Sequence, residues 1–319
     1  MRPIVPLFRS SLFLSASVSL LLLAMPAGAQ TTNDPDAAVG QKLQAAIACI
    51  NRLSDRAFES RSRYVDWAGD KAQMKKKPRN VLGLYTIYET DDCAKGVSDA
   101  KAVAPAQPEI ESASEAYVKA VQALEPLLKD ADDYYEQENY RDDKFAKGKE
   151  MHPKLLAAWD EFGKADTALR GIVAKIGDER QLAELANVEK TEGKKARYHI
   201  MNTFLQAKTL MHLETDVEMK KMDLPKVQQQ IAAYEQALKD LQAFNDGEGA
   251  GKIDSFYLSS AKDVLVTAKG LMRRVRDKEG FSEGDLMMLS QPGAGWMIEG
   301  SQPRLIRDYN QLVDNYNRM

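Results

Sequence analysis

The run Asp130-Ala131-Asp132-Asp133-Tyr134-Tyr135-Glu136-Gln137-Glu138-Asn139-Tyr140-Arg141-Asp142-Asp143-Lys144 is the densest stretch of chemistry-bearing side chains in this sequence, and Lys147, Lys149 and His152 follow it closely. Carboxylates and an imidazole are the usual ligands of a cation, and tyrosines offer rigid contact area to a small polar molecule. Asp132 and Glu136 stand four residues apart, on one face of a helix. Asp142 and Asp143 would begin the next helix, where negative charge suits the macrodipole. The plainer account is a solvated acidic corner between two helices. No EF-hand loop is present, because the glycine that such a loop needs for its sharp turn is missing.

A second set is the arginine row Arg52, Arg56, Arg61 and Arg63, of which Arg52, Arg56 and Arg63 fall on one helical face. These residues either pair with a neighbouring acidic helix or bind an anion. The abundance of acids favours pairing. The candidate binding residues are therefore Asp132, Tyr135, Glu136, Asp142, Asp143, Lys147, His152 and Arg63. An alternative of another class is a metal-dependent hydrolase using Asp132, Glu136, Asp142 and His152. It requires at least three of those side chains to converge on one point.

Recognisable catalytic spacings are missing. His152, His199 and His212 are followed by Pro, Ile and Leu, so no helical zinc pair H-E-x-x-H forms. There is no G-x-S-x-G. Gly293-Ala294-Gly295 lacks the preceding strand and the third glycine of a dinucleotide loop. The sequence predicts no catalytic residue, no resident metal and no cofactor.

Long helices must position these residues. Leu43, Ile47, Ile50, Leu53, Ala57, Tyr64 and Trp67 recur at three- and four-residue steps and predict a first helix over 36–68. Residues 69–92 break the pattern with Lys75-Lys76-Lys77-Pro78-Arg79, then at most a short ordered ribbon near 82–87. Further helices are predicted over 91–104, 108–137, 142–176, 178–220, 225–244, 255–278 and 303–317, with Trp296 and Ile298 anchoring an irregular stretch before the last. Pro126 and Pro153 fall within two of them, where a proline kinks a helix or marks its start. The fold class is all-α, an elongated antiparallel bundle of long helices. One helical domain spans 30–319, and any sub-bundle break falls at the glycine-rich loop 245–251.

The first 29 residues set the compartment. Arg2 and Arg9 precede an apolar run from Leu12 to Met25, which ends at Ala27-Gly28-Ala29, a small-x-small cleavage pattern. That run is shorter than the roughly 18–20 residues that span a bilayer. The expected location is periplasmic or secreted, with no transmembrane segment after cleavage. The formal net charge of −3 becomes −5 on cleavage, since the leader carries two arginines and no acid. A mildly acidic chain is a poor partner for nucleic acid. In an exported protein the isolated pair Cys49 and Cys93 predicts a disulfide. No cysteine sits at the cleavage point to carry a lipid.

Cys49-Ile-Asn-Arg-Leu-Ser54, Arg63-Tyr64-Val-Asp-Trp67, the corner from Tyr134-Tyr135 to His152-Pro153, and Gly193-Lys-Lys-Ala-Arg197-Tyr198-His199 together resemble the YiiG-like bacterial envelope proteins. The likeness runs over roughly 40–315. It implies an exported helical protein of a family with no established activity, and so no catalytic residues to carry over. Some relatives look like lipoproteins, whereas this chain lacks the cysteine. The reading is a non-catalytic binding or structural envelope protein, with a small polar ligand or an envelope protein as its partner.

Overall fold

The computed structural model describes residues 35–319 other than 77, 79, 216–220 and 292. The predicted leader and its cleavage point lie outside the described residues. Nine α-helices form among those residues: α1 Pro35–Ala68, α2 Thr90–Lys101, α3 Pro108–Glu136, α4 Ala146–Glu192, α5 Ala196–Thr215, α6 Leu224–Asp246, α7 Ser255–Arg276, α8 Glu283–Ser290 and α9 Gln302–Asn317. None of the described residues is in a strand. The chain is all-α.

Three of the differences from the sequence expectation have a clear local reason. α4 begins at Ala146, not at Asp142. Lys144 and Phe145 take left-handed conformations (φ 55° and 65°), and the Asp143 carboxylate accepts the amides of Ala146 at 3.2 Å and Lys147 at 2.9 Å. Asp143 is thus a cap, which satisfies orphan donors of the helix. At its other end α4 continues through Gly177 to Glu192. The break comes at Gly193, whose φ of 76° suits a residue without a Cβ. The third difference is α8, a short helix opened by a Ser282–Asp285 capping box that the periodicity did not reveal.

The chain divides into two compact units, one ending at Gly177 and the other being Asp178–Met319, so the division falls within α4. The core of the first unit is built by α1, α2, α3 and the N-terminal part of α4. Leu53, Ile110, Leu124, Leu128, Leu155, Trp159 and Phe162 are fully buried there. Cys49 and Cys93 are joined in a disulfide, their Cα atoms 5.1 Å apart, which ties α1 to α2. One buried polar group of this core is held from two sides: Ser54 donates to Asp166 at 2.6 Å, and Arg170 holds the other oxygen of Asp166 at 2.8 Å. The second unit packs α5, α6, α7 and α9 around Leu210, Val227, Leu241, Val264, Leu271, Leu305 and Leu312. Within it, Tyr234 donates to the Ala261 carbonyl and Tyr257 to that of Ile200. The loop 245–251 lies inside this unit. Of the two predicted anchors, Ile298 is buried and Trp296 is half out, under the Arg307 guanidinium.

No described helix is long and apolar enough to cross a membrane.

Candidate functional site

One face of α1 organises the site. Arg56, Ser60, Arg63 and Trp67 follow one another at steps of four, three and four, the spacing of a single helical stripe. Each reaches the segment 81–89, which crosses this face as an irregular strap. Arg56 Nε donates to the Thr86 carbonyl at 3.3 Å and Arg63 Nε to that of Leu82 at 2.9 Å. Ser60 Oγ donates to the Tyr85 carbonyl at 2.6 Å and accepts the Tyr85 amide at 3.1 Å. Trp67 Nε1 donates to the Gly83 carbonyl at 2.8 Å. Because its backbone is satisfied by side chains of α1, the strap forms no ribbon with another strand. The sequence allows at most a short ribbon near 82–87, and the described residues there form none. Leu84 and Ile87 turn into the core, whereas Leu82, Tyr85 and Tyr88, three residues apart, face outward.

Beside the strap lies a cleft of about 410 Å³, within the size range of small-ligand sites. Its first wall is α1, with Arg56 and Arg63. Their guanidinium carbons stand 4.0 and 4.8 Å from the Tyr85 ring centroid, and Arg63 Nη1 also donates to the Tyr85 hydroxyl at 3.2 Å. The opposite wall is the last turns of α3, with Asp132, Tyr135 and Glu136. Glu138 and Tyr140, from the connection to α4, complete it. Glu138 is paired with Arg141 at 2.7 Å, and Tyr140 stacks on Phe145 with centroids 4.8 Å apart.

The two walls are electrostatically unlike. Burial, then the neighbouring charges of Glu136 and Asp133, push the Asp132 carboxyl above its ordinary range, and Arg56 only partly offsets them. No ion pair to Asp132, Glu136, Arg56 or Arg63 forms among the described residues. The arginines are instead held against the strap. At the cleft's inner edge, Tyr135 packs edge-on to Trp67 at 4.9 Å and to Tyr134. Burial, and then Tyr64 beside it, push the Tyr135 hydroxyl far up, and its oxygen finds no hydrogen-bond partner of good geometry.

Of the residues singled out in the sequence, Arg63, Asp132, Tyr135 and Glu136 line this one cleft. The others do separate work. Asp143 caps α4 and accepts from Tyr134 Oη at 2.7 Å. Lys147 pairs with Asp130 at 2.6 Å, so it is Asp130, and not Asp132 or Glu136, that faces it. Asp142 is exposed on the connection. His152 is fully buried, with Nδ1 2.9 Å from the Tyr64 hydroxyl and Nε2 2.8 Å from the Lys71 carbonyl. With both ring nitrogens committed to the core, His152 does not meet Asp132, Glu136 and Asp142 in a ligand set. No group of three or more His, Cys, Asp or Glu side chains suited to a metal forms among the described residues. Sequence reasoning missed the strap residues Tyr85 and Tyr88, and Arg56 as a cleft residue. The signal was there in the 4-3-4 stripe of α1, once Ser60 and Trp67 are read with the two arginines.

The comparisons with known proteins give this arrangement a family. A family model described as "protein of unknown function (DUF3829)" matches residues 37–318. The chain belongs to that family. The "Uncharacterized protein YiiG" of Escherichia coli (strain K12) is 34% identical over 294 residues, covering 91% of this chain and 82% of that protein. The resemblance read from the Cys49, Arg63, Tyr134 and Gly193 segments is therefore a true membership. No solved structure shows a significant match. Neither the family's description nor the relative's name assigns an activity, so the site's role rests on its geometry.

Proposed function

We propose that this protein is an exported, non-catalytic binding protein, and that the cleft between α1, the strap and the end of α3 is where it binds. The observation that carries the reading is the pair of unlike walls: two arginines bonded through their Nε groups to the strap and set against Tyr85, beside carboxylates that form no direct ion pair among the described residues. Elsewhere in the same unit, charged side chains at comparable positions simply pair, as Arg61 does with Asp160 and Lys175 with Glu109. A purely structural corner would be expected to close in that way. Export is supported by the leader pattern in the sequence and by a disulfide, which persists in oxidising compartments. The hydrolase alternative has no such support, because only Asp132 and Glu136 of its four residues share the cleft, while His152 is held in the core and Asp142 is not part of the lining.

Native mass spectrometry of the protein purified from the bacterial envelope fraction tests the reading. Retention of a small molecule by the wild type, lost in an Arg56→Gln/Arg63→Gln variant that melts normally, is the expected result. A protein that arrives empty, with its N-terminus still at Met1 and both thiols free, would overturn both binding and export.

A further inference from the structure

The two walls of the cleft specify the charge of what fits between them. Arg56 spends its Nε on the Thr86 carbonyl, and Arg63 spends Nε and Nη1 on Leu82 and Tyr85. The remaining Nη groups have no acceptor among the described residues. They present a planar, fixed set of donors, the geometry that matches a carboxylate. The guanidiniums are directed to the strap and the Tyr85 ring and form no direct ion pair with these acids among the described residues. On the far wall Asp132 and Glu136 lie one helical turn apart, and burial and then the Glu136 charge raise the cost of ionising Asp132. A cation placed there would relieve it. An anion alone would satisfy one wall and worsen the other, and a cation alone would do the reverse.

We propose that the cleft binds a small zwitterion of amino-acid or short-peptide size, its carboxylate on Arg56 and Arg63 and its ammonium on Asp132 and Glu136. This rests on the binding role argued above for the same cleft. Tyr85 and Tyr140 supply rigid aromatic surface for the part of the ligand between the two charges, at small entropic cost. Discrimination follows from the pairing of walls: a molecule lacking either charge forgoes the charge-assisted bonds of one wall.

Calorimetric titration of the full mature chain with the proteinogenic L-amino acids and a set of dipeptides tests it, with acetate and propylamine as single-charge controls. At least one zwitterion is expected to bind, with acetate and propylamine weaker by about tenfold or more, the loss of a charge-assisted bond. Arg63→Gln and Asp132→Asn should each weaken that zwitterion about tenfold. Asp132→Asn, a near-isosteric change at a half-buried position, guards against a folding artefact in the arginine variant. If acetate binds as tightly as the best zwitterion and Asp132→Asn changes nothing, the cleft is an anion site and the proposal is wrong. If no amino acid or dipeptide binds, the proposal also fails. A retained envelope molecule that Arg56→Gln/Arg63→Gln still loses would then keep the binding role while removing the zwitterion.

Discussion

Glu214 stands in the last turn of α5 with its side chain fully buried. Neither carboxylate oxygen has a hydrogen-bond partner among the described residues, although Gln302 Nε2 donates to its backbone carbonyl at 2.9 Å. Burial alone pushes its carboxyl from 4.5 up to about 9. A carboxyl raised in the folded state binds a proton that the unfolded chain has released, so stability falls as pH rises from about 4.5 toward 9. Glu214→Gln is therefore expected to raise the melting temperature at pH 8 by about 3 °C or more, roughly 1 kcal/mol, and to change little at pH 4. Equal shifts at the two pH values would show that the carboxyl is hydrated or paired. The same logic, on a smaller scale, applies to Asp132. Its carboxyl is raised by burial and by Glu136 and Asp133, so Asp132→Asn should be slightly stabilising at pH 7, within the ~1 kcal/mol of exposed groups, and neutral at pH 3. A clear loss of stability at pH 7 would mean that Asp132 holds the fold and not a ligand. His152 is the opposite case. Tyr64→Phe would strand its Nδ1 in the core and should cost about 1–3 kcal/mol in chemical denaturation.

At the scale of elements, the break between α4 and α5 gives a test by sign. Were Gly193 inside a helix, alanine there would stabilise by about 0.5–1 kcal/mol. With φ at 76° and nothing within 4 Å of an added Cβ, the cost is purely conformational, and Gly193→Ala should destabilise by about 1 kcal/mol. Thermal melts of the two proteins decide which holds. This break also shows what the sequence could and could not say. Apolar periodicity placed α1, α3, α6 and α9 within a few residues, because each has one continuous buried stripe. It divided the chain at Ile176-Gly177-Asp178, which resembles a stop followed by a start. A glycine can sit in mid-helix when packing carries it, and periodicity cannot see that. The site divided in the same way. The acids and tyrosine of α3 were legible from their spacing, as was Arg63. The strap was not, because its backbone is satisfied by side chains from a helix distant in sequence, and such pairing leaves no period in the strap itself. His152 looked like a ligand beside lysines and acids. Its partners, Tyr64 and the Lys71 carbonyl, lie in α1 and in the loop after it, and only the tertiary fold brings them to it.

At the scale of the molecule, the decisive feature is that each unit closes a core of its own, one from Leu43 to Val173 and the other from Phe204 to Leu312. The disulfide belongs wholly to the first, and it lies close in sequence to the stripe that holds the strap. Its two cysteines are 44 residues apart, and the loop between them contains α1's second half and the entire strap. Closing such a loop stabilises chiefly by restricting the unfolded chain, by about 2–4 kcal/mol in typical cases. Cys49→Ser with Cys93→Ser should therefore weaken the first unit, the strap and the cleft together, while leaving the second core as it was. Native-state hydrogen exchange separates these outcomes. Amides of α1 and α2 are expected to lose protection by roughly that amount, and amides of α6 and α7 to keep theirs. A uniform loss along the whole chain would instead mean that 30–319 unfolds as one domain, and that the cleft draws its stability from both units. Confinement of the loss to residues before Gly177 would tie the binding cleft to the redox state of a single bond. If the cleft binds a ligand, as proposed, that binding would then depend on a compartment in which the Cys49–Cys93 bond forms.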